Sequence, residues 1–263
     1  MMTESCDAPR IFTPEYYRRM RELEEASWWN AGMRDVADEL LQRAALPETG
    51  TMLDVGCGSG QTMDWFQRAR PGWRTMGLDV APEGLTAARS FGVSTVMRAS
   101  ALRLPLPTEC MDLVISLDVL QHLPLDGGDR SALAEFARVL KPGGALFLRT
   151  NAQAFPRTSD DRKFDFHRYE VSELEQRLRD AGFRVLRVSR INALLGLAEI
   201  PRELRARSQP DSYHGIMAAP PAAGRWPARL KRRWLRSEGH VIGRGLRLPF
   251  GRTIVALAVR PRT

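Results

Sequence analysis

Regular alternation of strand-forming and helix-forming segments is the feature that most limits what this chain can fold into. From residue 51 to residue 190, short apolar runs are followed by segments whose apolar residues recur every three to four positions. Strands that alternate with helices in this way are parallel and are joined by right-handed crossovers, so the pattern predicts an α/β fold. The predicted strands are 51–55, 74–79, 94–98, 112–117, 145–150 and 184–190, and the predicted helices are 60–69, 82–91, 128–140 and 171–181.

Glycine and proline mark where two of these helices should end. The segment 142–144, Pro-Gly-Gly, is expected to stop the 128–140 helix. The segment 181–183, Ala-Gly-Phe, is expected to stop the 171–181 helix, because glycine after a last helical turn readily adopts the left-handed conformation.

The flanks of the alternating region predict additions on both sides. Residues 13–45 show two stretches of helical spacing, with Thr13 as a candidate cap. After residue 191, about sixty residues rich in Pro, Gly and Arg precede a last β-branched run, Thr253–Val259. So long a structureless connection is rare in a compact domain, and we expect a partly helical insertion. The predicted division is 1–48 for a helical cover, 49–191 for the core, 192–250 for an inserted lid or substrate subdomain, and 251–263 for the last strand and tail.

Composition excludes several classes of protein. With 43% hydrophobic and 27% charged residues the chain is globular, and its longest apolar runs fall short of the ~20 residues of a membrane span. The first ten residues lack the basic leader and apolar core of a secretory signal, so a cytoplasmic location is expected. Cys6, Cys57 and Cys110 are widely spaced and form no CxxC pair. Neither a disulfide framework nor a metal site is therefore expected.

The formal net charge of +8 is concentrated in the C-terminal quarter. Residues 201–263 contain fourteen Lys or Arg and three Asp or Glu, which leaves residues 1–200 net acidic. Trp226 and Trp234 alternate with arginines there, as in a nucleic-acid or membrane-surface segment. A solvated amphipathic helix in a lid explains the same residues. The acidic core and the lack of a recognisable RNA-binding domain argue against a nucleic-acid partner.

A strand that runs into a glycine turn is the first chemical signature. Residues 53–60 read LDVGCGSG, and such a turn lets the backbone approach a ligand while the following helix offers unpaired N–H groups. The spacing is G-x-G-x-G, one residue shorter than the G-x-G-x-x-G of dinucleotide folds. Asp79 ends the next strand, nineteen residues after Gly60, where an acidic side chain can accept both hydroxyls of a ribose. The two features imply a nucleoside ligand.

Two further motifs follow in a fixed order. DLVISLDVLQHL starts at Asp112 and carries Asp118 and His122, and RVLKPGG starts at Arg138. In order and spacing, the motifs resemble the class I S-adenosylmethionine-dependent methyltransferases, above all the bacterial small-molecule group, over residues 50–191. Trp28-Trp29 with Arg34, Arg168-Tyr169 and Leu248-Pro249-Phe250-Gly251 also resemble a subgroup with a tryptophan pair.

The resemblance implies a Rossmann-like seven-stranded methyltransferase sheet with an N-terminal helical cover, an insertion before the last strand, and S-adenosyl-L-methionine as cofactor. In that family the glycine loop holds the methionine end of the cofactor, the strand-end acid holds the ribose and the 100–102 segment lines the adenine. Ser100 stands where an acidic residue is usual, and its hydroxyl can still bond to the base. The implied cofactor residues are Asp54, Gly56, Cys57, Gly58, Gly60, Asp79, Val80, Ser100, Ala101, Leu117, Trp29 and Arg34.

The methyl acceptor is expected beside the loop after the fourth strand. His122 lies in that loop, and a neutral imidazole with an ordinary pKa of ~6.5 could deprotonate a hydroxyl or an amine. The same histidine could instead only support the loop. The candidate substrate-binding residues at this edge of the sheet are Asp118, His167, Arg168 and Tyr169.

The expected function is methyl transfer from S-adenosylmethionine to oxygen or nitrogen of a small molecule in bacterial secondary metabolism. An RNA methyltransferase that uses the basic segment and a non-catalytic nucleotide-binding partner protein are the alternatives. The chain retains both the cofactor loop and the presumptive pocket loop, which favours an enzyme. The sequence leaves the acceptor and the oligomeric state open.

Overall fold

The chain forms an α/β fold around one mixed sheet. A computed structural model describes residues 17, 21, 27–153, 167–193 and 227–262. The helices are α1 (Trp28–Leu41), α2 (Gln61–Ala69), α3 (Pro82–Ser90), α4 (Gly128–Val139), α5 (Val171–Asp180) and α6 (Ala228–Gly243), with a 3₁₀ turn at Leu120–His122. The strands are β1 (Gly50–Val55), β2 (Trp73–Asp79), β3 (Val96–Arg98), β4 (Met111–Leu117), β5 (Leu140–Asn151), β6 (Arg184–Ile191) and β7 (Thr253–Val259).

The sheet has the strand order β3-β2-β1-β4-β5-β7-β6. Strands β1 to β5 pair in parallel, and β7 inserts antiparallel between β5 and β6. The predicted seven-stranded fold, including the antiparallel last strand, is confirmed. The order reverses between β1 and β4, so the loops after these strands diverge and leave a crevice at the carboxyl edge of the sheet.

Two apolar clusters cover the two faces of the sheet, because successive strand residues point to opposite sides. On β5, Phe147 belongs to the cluster under α1, α2, α3 and α6, whereas Leu146 and Leu148 belong to the cluster that includes residues of α4 and α5. Burial on both faces explains why these strands read as continuous apolar runs in the sequence.

Helices α1 and α6 cover one face of the sheet together. The Ser27 hydroxyl caps α1 by accepting a hydrogen bond from the Asn30 amide. Gly32 lets α6 approach closely, because a Cβ there would lie 2.8 Å from Leu235 Cδ1. Thr13 and residues 194–226 lie outside the described residues, so the domain division stays a prediction. The helices that the structure describes include none long and apolar enough to cross a membrane.

Two predicted boundaries are wrong at the junction of α4 and β5. The helix ends at Val139, and β5 begins at Leu140 instead of residue 145. Met111 pairs with Leu140 and Leu113 pairs with Ala145, so the Pro-Gly-Gly segment forms an irregularity inside the strand. Gly143 takes a φ of 84° there, which a glycine adopts without strain.

The α1–α6 contact yields a stability prediction. Leu235→Ala should lower the free energy of unfolding by about 2–4 kcal/mol, because Leu235 is fully buried between the helices. Leu230→Ala, on the same helix but 37% exposed, should cost less than about 1 kcal/mol. Urea unfolding followed by circular dichroism measures both. Equal effects of the two substitutions would contradict this packing.

Candidate functional site

The glycine loop forms a tight turn between β1 and α2. Gly56, Gly58 and Gly60 have φ values of 78°, 49° and 78°, in the left-handed region that favours glycine. At Gly56 a Cβ would also lie 2.3 Å from Val119 Cγ2. The loop that follows β4, which contains Val119 and is called the β4 loop, therefore closes against this turn. The amides of Gly56 and Cys57 donate to the Leu78 carbonyl at 2.8 and 3.0 Å. The loop is thereby fixed against the end of β2.

Asp79 joins the loop to the end of β2. Its side chain is 8% exposed, and Oδ2 accepts from the Gly58 amide at 2.9 Å while Oδ1 accepts from the Ala81 amide at 2.8 Å. A carboxylate has further lone pairs on both oxygens, so these bonds leave acceptor capacity. The fold thus brings the predicted loop and the predicted acid into direct contact.

Two residues that the sequence reasoning missed lie over the loop. Arg21 Nη1 donates to the Ser59 carbonyl at 3.1 Å, and Gln61 Nε2 donates to the Arg21 carbonyl at 3.1 Å. The Ser59 hydroxyl is buried and has no hydrogen-bond partner among the described residues. A buried polar group of this kind marks a place where a ligand can bind. Ser59 lies within the glycine motif and Gln61 directly follows it. This proximity is the signal in the sequence that could have suggested these two residues.

The segment after β3 lies beside Asp79. The Ala99 amide donates to the Asp79 carbonyl at 3.1 Å, and the Ser100 hydroxyl accepts from the Leu102 amide at 3.2 Å. Ala101 is buried, whereas Val80 is 59% exposed at the surface of the crevice. Val80, Ser100 and Ala101 therefore border the same corner as Asp79, as a base-binding role requires.

A cavity of about 520 Å³, counting its open mouth, lies between α1, α2 and the ends of β4 and β5. We call it the β4–β5 cavity. Arg34 lines it and donates through Nη2 to Gln61 Oε1 at 2.8 Å. Trp29 packs edge-to-face on Trp28 with ring centroids 6.1 Å apart, outside this lining. The lining residues are Asn30, Met33, Arg34, Ala37, Gln61, Thr62, Trp65, Ile115, Leu117, Phe147 and Arg149.

The β4 loop carries Asp118 and His122. Asp118 has a φ of 58°, unusual for a residue with a side chain, and its Oδ2 accepts from Arg149 Nε at 2.9 Å and from Arg149 Nη2. His122 keeps access to solvent, yet the surrounding protein lowers its pKa below the ordinary value, because burial disfavours the charged ring. The nearby Asp118 carboxylate opposes this effect. The imidazole is therefore neutral near pH 7.

The 167–169 segment divides between the site and the core. The His167 amide donates to the Gln121 carbonyl at 3.2 Å, which brings it beside the β4 loop. Tyr169, in contrast, is fully buried and donates its hydroxyl to Asp129 Oδ2 at 3.0 Å. Burial and the adjacent Asp129 raise the pKa of Tyr169. The expectation that Tyr169 lines the substrate pocket is wrong, because its hydroxyl is used within the core.

Arg168 and Cys57, two further predicted site residues, differ in burial. Arg168 is half-buried next to His167. Cys57 is buried against Gly77, where a Cβ would lie 2.8 Å from its Sγ. Burial raises the pKa of the Cys57 thiol, so the thiol stays protonated and fills space in the loop. Among the described residues no group of three or more His, Cys, Asp or Glu is placed to hold a metal ion.

Comparison with known proteins supplies the family context. Residues 53–148 match a family model described as a methyltransferase domain. A trans-aconitate 2-methyltransferase of Azoarcus is 31% identical over 48% of this chain and 46% of its own length. A Mycolicibacterium smegmatis protein named as a probable S-adenosylmethionine-dependent methyltransferase is 29% identical over 70% of each chain. Relatives above 30% identity, such as the Azoarcus protein, are matched over about half their own length or less.

Solved structures show the same fold. Phosphoethanolamine N-methyltransferase 2 of Haemonchus contortus, in complex with S-adenosyl-L-methionine, superposes with a TM-score of 0.63 at 18% identity. The superposition covers 95% of this chain and 57% of the Haemonchus chain. At this identity the likeness establishes the architecture alone.

The β4 loop yields a prediction for His122. A ¹H–¹³C NMR titration of the histidine rings should give a pKa below 6.5, and Asp118→Asn should lower it further, because the variant removes a negative charge that stabilises the imidazolium. Asp64→Asn, in an exposed ion pair with Arg68 on α2, is the control and should leave it unchanged. A higher pKa in the Asp118 variant would contradict the site geometry.

Proposed function

Because the chain belongs to the class I S-adenosylmethionine-dependent methyltransferases, we propose that it transfers a methyl group from S-adenosylmethionine to oxygen or nitrogen of a small molecule. The observation that carries the proposal is the contact of Asp79 with the glycine loop beside the β4–β5 cavity. Polar and apolar side chains together line the β4–β5 cavity, as is usual for small-molecule sites. The bacterial relatives support a bacterial enzyme. The place in secondary metabolism rests on the sequence resemblance, and the cytoplasmic location rests on the expected lack of a secretory signal.

The residues present fit the cofactor. Asp79 retains acceptor capacity for ribose hydroxyls, the buried Ser59 hydroxyl can bond to a polar group, and the positive-φ glycines leave room for close approach. Arg34 offers a cation at the edge of the loop for a carboxylate. The proposed set also includes Asp54, Leu117 and Trp29, together with Val80, Ser100 and Ala101 at the corner beside Asp79. When bound, S-adenosylmethionine supplies an electrophilic methyl group on a sulfonium.

His122 is the proposed general base. A neutral imidazole in the β4 loop can take the proton that an acceptor hydroxyl loses as its oxygen is methylated, or the proton that a neutral amine loses from the ammonium formed by its methylation. The lowered pKa keeps the ring neutral at physiological pH, which is the form that accepts a proton. Asp118, His167 and Arg168 border this loop and are the proposed contacts to the acceptor.

The distribution of charge supports a small-molecule acceptor over RNA. Several arginines of the basic C-terminal segment are paired inside the protein: Arg232 with Asp35, Arg247 with Glu175 and Arg260 with Glu109. Paired cations contribute less to the attraction of a phosphate backbone than unpaired ones, since the partner carboxylate offsets their charge. Part of the excess positive charge that suggested a nucleic-acid partner is therefore engaged in ion pairs within the protein.

Labelled-metabolite profiling tests the function. The purified chain is incubated with a bacterial extract and S-adenosylmethionine that carries a ¹³C methyl group, and mass spectrometry identifies the labelled products. The proposal expects one small acceptor to gain the label on oxygen or nitrogen. Label that appears only in RNA would contradict it. So would the absence of any labelled product from a chain that binds S-adenosylhomocysteine.

Asp79 yields a prediction for cofactor binding. Asp79→Ala should weaken S-adenosylhomocysteine binding roughly 10- to 100-fold, since a charged acceptor to the ribose is lost. Isothermal titration calorimetry measures the affinity, and the melting temperature reports whether the loop still folds without its contacts to Gly58 and Ala81. Asp64→Ala is the matched control. A folded Asp79 variant with unchanged affinity would show that the ribose is held elsewhere.

His122 yields a prediction for catalysis. His122→Ala should slow methyl transfer by roughly 10² while S-adenosylhomocysteine affinity stays within about twofold, because proton removal occurs at the acceptor. The loss should shrink as pH rises and the acceptor ionises in bulk water. His240→Ala, at an exposed histidine of α6, is the control. A loss that is independent of pH and accompanied by weaker cofactor binding would make His122 a loop support.

A further inference from the structure

Arg149 occupies an unusual place on β5. Its side chain lies on the same face of the sheet as Phe147, and its backbone pairs with Leu117 of β4. Ile115 and Leu117 on β4 and Phe147 on β5 give this face apolar side chains beside Arg149. The Arg149 side chain is only 14% exposed and lines the β4–β5 cavity. A guanidinium thus stands where the neighbouring positions carry hydrocarbon.

This guanidinium is held by Asp118. The carboxylate of Asp118 contacts Arg149 while the backbone of Asp118 lies in the left-handed region, at a φ of 58°. The Asp118 amide also donates to the Arg149 carbonyl at 2.8 Å. Replacing a buried ion pair by well-packed apolar residues is often neutral or stabilising. The Arg149–Asp118 pair is therefore weak evidence that Arg149 serves stability, and a role in binding is the alternative.

The guanidinium groups of the cavity point to an anion. Its described lining includes two arginines, Arg34 and Arg149, and no Asp or Glu, while Asp118, outside this lining, contacts Arg149 and offsets part of its charge. Arg34 lies on α1 next to Gln61, at the end of the glycine loop, where the proposed function places the carboxylate of the cofactor. Arg149 lies across the cavity on the sheet, and Trp65 and Phe147 add aromatic surface to the lining. A guanidinium recognises a planar carboxylate through paired hydrogen bonds.

We infer that the β4–β5 cavity takes a methyl acceptor that is a small aromatic or apolar carboxylic acid, and that Arg149 binds its carboxylate. The inference rests on the proposed function, because it names the acceptor class of that site. Arg149 is then a specificity-determining residue, and Asp118 orients it. The hydroxyl oxygen or neutral amino nitrogen of the acid forms a bond to the methyl carbon as the bond from that carbon to the sulfonium sulfur breaks. S-adenosylhomocysteine leaves, and the proton of the hydroxyl or amino group passes to His122.

Matched acid and amide probes test this assignment. Salicylic acid with salicylamide, 4-hydroxybenzoic acid with 4-hydroxybenzamide, and anthranilic acid with anthranilamide are offered with methyl-labelled S-adenosylmethionine. The wild-type chain should have a kcat/KM at least 10-fold higher for the acid of one or more pairs, carried mainly by KM. In Arg149→Met this ratio should fall to about one, and Arg149→Lys should keep part of it. Arg68→Met, at an exposed arginine of α2, should keep the full ratio.

The acid-to-amide ratio separates recognition from damage to the loop. A displaced β4 loop would slow methylation of both the acid and the amide of a pair, whereas loss of carboxylate binding would slow methylation of the acid alone. Double substitution Asp118→Asn with Arg149→Met leaves no unpaired carboxylate and should give the same ratio as Arg149→Met alone. Calorimetry with S-adenosylhomocysteine should show an affinity within about twofold of wild type in Arg149→Met.

Three outcomes would overturn the inference alone: equal labelling of acid and amide by a wild-type chain that binds S-adenosylhomocysteine, including no labelling of either; a ratio unchanged in Arg149→Met; or a 10-fold loss of S-adenosylhomocysteine affinity in Arg149→Met, which would assign Arg149 to the cofactor. A wild-type chain that fails to bind S-adenosylhomocysteine would contradict the proposed function itself, and the inference with it.

Discussion

The bond between the Asp79 carboxylate and the Gly58 amide is the contact on which the rest of the site depends. It ties the loop after β1 to the end of β2, and the Leu78 carbonyl adds two backbone bonds to the same loop. Parallel pairing of β1 with β2 places both strand ends at one edge of the sheet, so the contact follows from the topology. A glycine loop held in this way is preorganised, and a ligand need not order it on binding.

The site is built outward from that contact on both sides. Beyond β2, the 99–102 segment borders Asp79, and beyond β4, the loop with Asp118 and His122 closes against Gly56. The strand order reverses between β1 and β4, and a crevice opens there at the carboxyl edge of the sheet. The Asp79 corner and the β4–β5 cavity both lie at this edge.

The sequence predicts the elements well because their signals are local. β7 matches its predicted range, and the mixed sheet has the expected antiparallel strand, since β-branched runs and helical periods are readable within short windows. The start of β5 was missed because the Pro-Gly-Gly segment, read as a helix stop, also lies within the strand. Tyr169 was misplaced because position at a sheet edge does not reveal which way a side chain turns.

Contacts between distant residues were beyond the reach of such patterns. The Arg149–Asp118 pair, the Arg21 bond to the glycine loop and the Arg232–Asp35 pair each join segments that only the tertiary fold brings together. The first of these contacts, at the wall of the β4–β5 cavity, affects the charge of that cavity. The glycine loop and Asp79 could be recognised from spacing, whereas the lining of the β4–β5 cavity required the fold.

Calorimetric titration of the purified chain with S-adenosylmethionine, S-adenosylhomocysteine and NAD tests the central claim most directly, because the claim is that the Asp79 corner selects this cofactor. The account predicts saturable one-to-one binding of S-adenosylmethionine and S-adenosylhomocysteine and no binding of NAD. Binding of NAD without either of the other two would contradict it.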